Sequence, residues 1–103
     1  MLSIGETIRS LREAKRLLLR HVGAGTDIDP TLLSKIERGD RLPTKEQIKK
    51  FAKFFNTPLS DLMTKCLSEK LFQELKNEEF AYPAIIETQK KLKLELNTYE
   101  EKN

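Results

Sequence analysis

The chain has no tryptophan, one cysteine and one histidine, and each shortage closes off some chemistry. A single thiol, Cys66, makes neither an internal disulfide nor a cysteine metal cluster. It suits a reducing cytoplasm and reads as a small apolar residue on a helix. His21 has no second histidine, cysteine or carboxylate at ligand spacing and reads as an exposed helix residue, so neither a metal nor another cofactor is expected. No apolar run approaches the roughly 18 residues of a membrane span. The opening MLSIGETIRS lacks the basic stretch and apolar run of a secretion signal, and a cytoplasmic protein is expected. Gly23 and Gly25 lack the strand, the lysine and the spacing of a phosphate loop. Ser34 has no base near it, and the Glu78–Glu79 and Glu100–Glu101 pairs read as helix-start and tail charges. No enzyme chemistry is written in the chain. No segment alternates like a strand and no repeat or low-complexity linker occurs, which leaves an all-α chain.

What is present is charge in a small frame. Charged residues make up 34% of the 103 and hydrophobic ones 38%, so the core is modest and help from a second subunit is expected. The charge is unevenly placed. Residues 1–66 carry 13 Lys or Arg against 8 Asp or Glu, a balance of +5, while residues 67–103 carry 6 against 8, a balance of −2. The first part is the part suited to a polyanion.

Ile4, Ile8, Leu11 and Ala14 fall at helical spacing with Arg9, Arg12, Lys15 and Arg16 between them, which predicts a first helix over residues 3–16 with a Ser3–Glu6 capping box. A second short helix is expected at 19–25, although Gly23 and Gly25 each cost about 1 kcal/mol relative to Ala inside it. Asp29 as N-cap, Pro30 at the first position and Gly39 after the last turn bracket a third helix, Pro30 to Arg38. Leu33 and Ile36 point inward in it, leaving Thr31, Leu32, Lys35 and Arg38 outside. Thr44 with Gln47 caps a fourth helix that carries Ile48, Phe51, Ala52 and Phe55 and ends at Asn56. A fifth begins near Pro58 and runs unbroken to about Lys76. Pro83 keeps the last helix from starting much before residue 81, and that helix takes Ile85 to about Tyr99.

Two short helices joined by a tight turn, the second exposing polar residues from its N-terminal end, is the arrangement that sets a recognition helix in the DNA major groove. Residues 4–64, through IxxLREAKRLL, DPTLLSKIERGDRLPT and IKKFAKFFNTPLSDLM, resemble the lambda-repressor-like helix-turn-helix domain, the group of Cro and the xenobiotic-response-element regulators. The resemblance implies a five-helix DNA-binding domain followed by a helical extension. It also implies base reading by Pro30, Thr31 and Lys35, with Leu32 set to meet a thymine methyl. Arg38, Arg41 and Lys45 fall at or beside phosphate-contacting positions, and Glu37 corresponds to a structural glutamate. The chain departs from the family in its second helix. Leu19 stands where a phosphate-holding Gln is usual, so that Arg20 is expected to take the contact, Gly23 stands for Ala, and Asp27 stands for the turn glycine.

The expected division is a DNA-binding domain over 1–66 and an extension over 67–103. Leu67, Leu71, Phe72 and Leu75, then Ile85, Leu92, Leu96 and Tyr99, are too much apolar surface to leave in water. The spacing of Ile85, Gln89, Leu92, Leu96 and Tyr99 alternates fours and threes like a short coiled-coil seam. Leu71, Phe72, Leu75, Ile85, Leu92 and Leu96 are therefore expected to form a homodimer contact. No segment remains for a ligand-sensing domain, and no small-molecule effector is expected. The leading expectation is a repressor that occupies a palindromic operator in double-stranded DNA. Two alternatives are an antitoxin-type adaptor whose C-terminal helices cover a protein partner, and a controller of a restriction-modification operon.

Overall fold

The computed structural model describes residues 2–102, with side chains to residue 97. Six helices follow in order: α1 (Ile4–Ala14), α2 (Leu19–Thr26), α3 (Pro30–Arg38), α4 (Lys45–Phe55), α5 (Leu59–Leu75) and α6 (Ala81–Lys102). No strand occurs among the described residues. The chain divides into two compact units, one ending at Leu71 and one beginning at Phe72, with α5 continuous through the boundary.

Local chemistry sets most helix starts. In α1 the Ser3 hydroxyl accepts from the Glu6 N–H while the Glu6 carboxylate accepts from the Ser3 N–H, and Thr44 and Gln47 do the same for α4. Asp29 caps α3 by accepting from Thr31 N–H at 2.7 Å, with Pro30 at the first helical position. Pro83 is the third residue of α6, where a missing N–H breaks no helical bond. That helix begins four residues before Ile85, because Pro83 is compatible with a first turn. Tyr99 lies outside the described side chains.

The first four helices end alike. Leu17 N–H donates to Arg12 O, Ile28 N–H to Gly23 O, Asp40 N–H to Lys35 O and Thr57 N–H to Ala52 O. Each wraps the chain back over the last turn. The residue before each donor, Arg16, Asp27, Gly39 or Asn56, takes a positive φ. α1 therefore stops at Ala14, short of Arg16, and Ala14 is exposed rather than on the buried face.

Ile4 and Ile8 of α1, Val22 of α2, Ile28 of the turn, Leu33 and Ile36 of α3, four residues of α4 and Leu62 of α5 form one core. α1 and α3 meet backbone to backbone. A Cβ at Gly5 would run into the Ile36 carbonyl oxygen and stand 2.8 Å from that of Glu37. Because α3 is only nine residues long, it owes its position to this packing and not to its own propensity. Leu33 is 0% and Ile36 1% exposed. Truncating either to Ala is expected to cost about 2–5 kcal/mol, read as a fall in the urea midpoint. An unmoved midpoint for both would mean that these two residues do not anchor α3.

Candidate nucleic-acid interface

The α2–α3 corner turns in three residues. Asp27 holds φ 58°, a left-handed conformation that Asp tolerates better than most side chains, so the departure from glycine is absorbed. Ile28 plugs the core and Asp29 opens α3. Thr26, buried just before the corner, donates its hydroxyl to Val22 O at 2.7 Å. Gly23 is used for close approach, since a Cβ there would stand 2.8 Å from Ile28 O and 3.1 Å from Pro30 Cγ. The glycine that weakens α2 as an isolated helix lets the corner close.

On α3 the exposed residues are Pro30, Thr31, Lys35 and Arg38. Leu32 differs from the expectation. It is half-buried and packs on the core, because a helix with Leu33 and Ile36 inward carries position 32 to the edge of the buried face. Arg20 is exposed at the second position of α2, and Arg41 and Lys45 are exposed in the α3–α4 loop and at the start of α4. Lys35, Arg20, Arg41 and Lys45 have no side-chain partner among the described residues. Arg38 instead folds back along its helix, donating to Ser34 Oγ and Asp40 Oδ2, each at 3.1 Å. Both ends of its ion pair with Asp40 are 58% exposed, so the pair is screened and weak.

Two features of this region are missing from the sequence reading. Arg12 turns inward from α1. Its Nε donates to Glu37 Oε2 at 2.8 Å, its Nη2 to Glu37 Oε1 at 2.9 Å and its Nη1 to Leu17 O at 2.9 Å. The side chains of Arg12 and Glu37 are 14% and 6% exposed. The hydrogen bond to Glu37 leads in raising the Arg12 pKa above its ordinary value, against the opposing effect of burial. On the arginine side the contribution is complete below the ordinary arginine pKa and is lost only in strong alkali. His21 also has a role beyond exposure. Its Nδ1 accepts from Leu18 N–H at 2.9 Å, the contact that the third helical residue makes in a capping box, although Leu18 has no polar side chain to return it.

A groove of about 270 Å³ lies between the start of α4 and α5, lined in part by Leu42, Lys45, Met63, Leu67 and Cys66. Burial pushes the Cys66 thiol up from its ordinary pKa, which keeps it protonated and a poor nucleophile. Among the described residues no cluster of His, Cys, Asp or Glu is arranged to hold a metal, and no helix is long and apolar enough to cross a membrane.

A tight corner, a capped short helix with a free polar face and a basic surround define a helix-turn-helix DNA-binding domain. Residues 8–62, more than half of the chain, match the helix-turn-helix family model of the lambda-repressor and Cro type, and the chain belongs to that family of DNA-binding regulators. No curated protein matches the chain.

Because Glu37 is buried and shares both carboxylate oxygens with Arg12, Glu37→Ala strands a guanidinium. The expected loss is about 3 kcal/mol of folding stability by urea titration. Arg9→Ala, which breaks the exposed Arg9–Glu13 pair, leaves the midpoint nearly unchanged. Equal effects for the two variants would contradict the role given to burial.

Proposed function

We propose that the protein is a sequence-specific transcriptional repressor that occupies a palindromic operator as a homodimer. The observation that carries the reading is α3, which has Leu33, Ile36 and Glu37 buried on one side and Thr31 and Lys35 open on the other. Pro30, Thr31 and Lys35 are the base readers, and Leu32 offers its exposed edge to a thymine methyl. Arg20, Arg41 and Lys45 contact phosphates. Arg38 joins them by exchanging its Ser34 and Asp40 contacts for a phosphate oxygen. No catalytic role is assigned to any residue.

Support for the dimer comes from exposed apolar surface. Among the described residues, of the large apolar side chains exposed by at least about a third, only Leu2, Leu18 and Leu59 precede residue 66. Beyond it, Leu71, Phe72, Ile85, Leu92 and Leu96 are 50%, 60%, 37%, 65% and 55% exposed, with Leu75 half-buried. That much apolar surface favours burial against a second copy, and two recognition helices one DNA turn apart address a site that one alone reads too briefly.

With about four to six phosphates contacted per subunit, affinity falls steeply as salt rises. A titration in which duplex binding is independent of salt would remove the electrostatic part of the reading. At the cognate site, Lys35→Ala or Thr31→Ala is expected to cost about 1–3 kcal/mol with little effect on random DNA, whereas Arg38→Ala weakens both. Equal weakening by Lys35→Ala would reassign that lysine to phosphate contact. Sedimentation tests the assembly: a monomer at tens of micromolar refutes the homodimer.

A further inference from the structure

We propose that Arg16, in the turn between α1 and α2, is a DNA phosphate contact that fixes the register of the domain on the duplex; this rests on the DNA-binding reading above. The first observation is internal to the fold. Four helices close with the same backbone hydrogen bond, and each puts one residue at positive φ: Arg16 at 55°, Asp27 at 58°, Gly39 at 81° and Asn56 at 51°. Gly, Asn and Asp are the residues for which that conformation is cheap. Arginine is not among them. At position 16 the chain carries a long cation where the backbone favours glycine, and the most that local folding returns for it is the weak attraction of an exposed cation to the C-terminal end of α1. The Arg16 side chain is exposed and has no hydrogen-bond or ion-pair partner among the described residues.

The second observation is position. The Arg12 guanidinium holds Leu17 O at 2.9 Å with one nitrogen and the Glu37 carboxylate at 2.8 and 2.9 Å with the other two. Leu17 follows Arg16 and Glu37 precedes Arg38. One planar fork therefore ties the α1–α2 turn to the C-terminal end of α3, and Arg16 and Arg38 are the chain neighbours of the two residues it holds. Arg20, four residues on, is also unpartnered and exposed. A phosphate backbone passing the end of α3 meets these cations together, and strain at a positive-φ residue is what a functional position tolerates.

Arg16→Gly separates this role from a structural one, because it relieves the backbone and deletes the cation. Its melting temperature is expected to equal or exceed that of the wild type. On a random-sequence duplex of about 20 base pairs followed by anisotropy across a potassium chloride series, its affinity near 0.1 M salt falls about fivefold. The slope of log K against log salt becomes shallower by about one, the signature of one lost phosphate. Arg16→Asn, also compatible with positive φ, behaves like Arg16→Gly, and Arg16→Lys keeps the wild-type slope. If the wild type binds with its own salt slope and both neutral variants match it, the Arg16 contact is wrong and the DNA-binding reading stands. If they melt lower and keep wild-type binding, Arg16 stabilises the end of α1 and the proposal fails. If the wild type binds no duplex at all, the DNA-binding reading falls and this contact with it.

Discussion

The Arg12–Glu37 fork is the constraint on which the rest of the recognition surface depends. Leu33 and Ile36, with Leu32 at the rim, hold α3 to the core, but apolar contacts alone fix the rotation of a nine-residue helix weakly, and a roll of one residue is about 100°. Such a roll would turn Lys35 or Thr31 inward. Two parallel N–H···O bonds from a rigid guanidinium resist it, since they demand a direction as well as a distance. Burying both charges costs solvation, and an apolar pair of similar volume would hold the helices about as strongly. The ion pair is therefore better explained by orientation than by net stability. Gly5 complements it by letting α1 reach the carbonyls at the same end of α3.

Around that strut the chain is short of intrinsic helix. Helices of eight to eleven residues are marginal in water, and here their ends compensate. Each of the first four begins with an N–H accepted by a nearby side chain and ends with the chain wrapped back over its last turn. Tight closures leave loops of only a few residues between helices, and the corner before α3 becomes as definite as the helices themselves.

This division explains what was legible beforehand. The Ser3–Glu6, Asp29–Thr31 and Thr44–Gln47 contacts join residues two or three apart, so the caps, the limits of α3 and the start of α4 could be read directly. Arg12 and Glu37 are 25 residues apart. In the linear pattern Arg12 counts as one more cation on a polar face, and only the fold turns it inward. The glycines of α2 were legible as a cost and not as a benefit, because the Ile28 carbonyl and the Phe54 ring that they admit belong to other segments. Leu32 was misplaced for a different reason. Nine residues make only two and a half turns, too few for a period to tell an outer position from the rim of the buried face.

Two arginines show how burial sorts like residues into unlike roles. Arg12 and Arg38 both hold a carboxylate near 3 Å, yet only the first is out of water. At about 4 Å a pair of unit charges is worth about 1 kcal/mol in water and about 4 kcal/mol at an effective dielectric of 20. The Arg12 pair is also shielded from counterions, whereas the Arg38 pair is open to them. Arg38 can therefore give up Asp40 for a phosphate at little cost, while Arg12 has no competitive alternative to Glu37. The same inequality separates folding from binding along the salt axis. Ionic strength screens exposed cations such as Arg20, Arg38, Arg41 and Lys45, and it leaves untouched the buried fork that holds α3 in place.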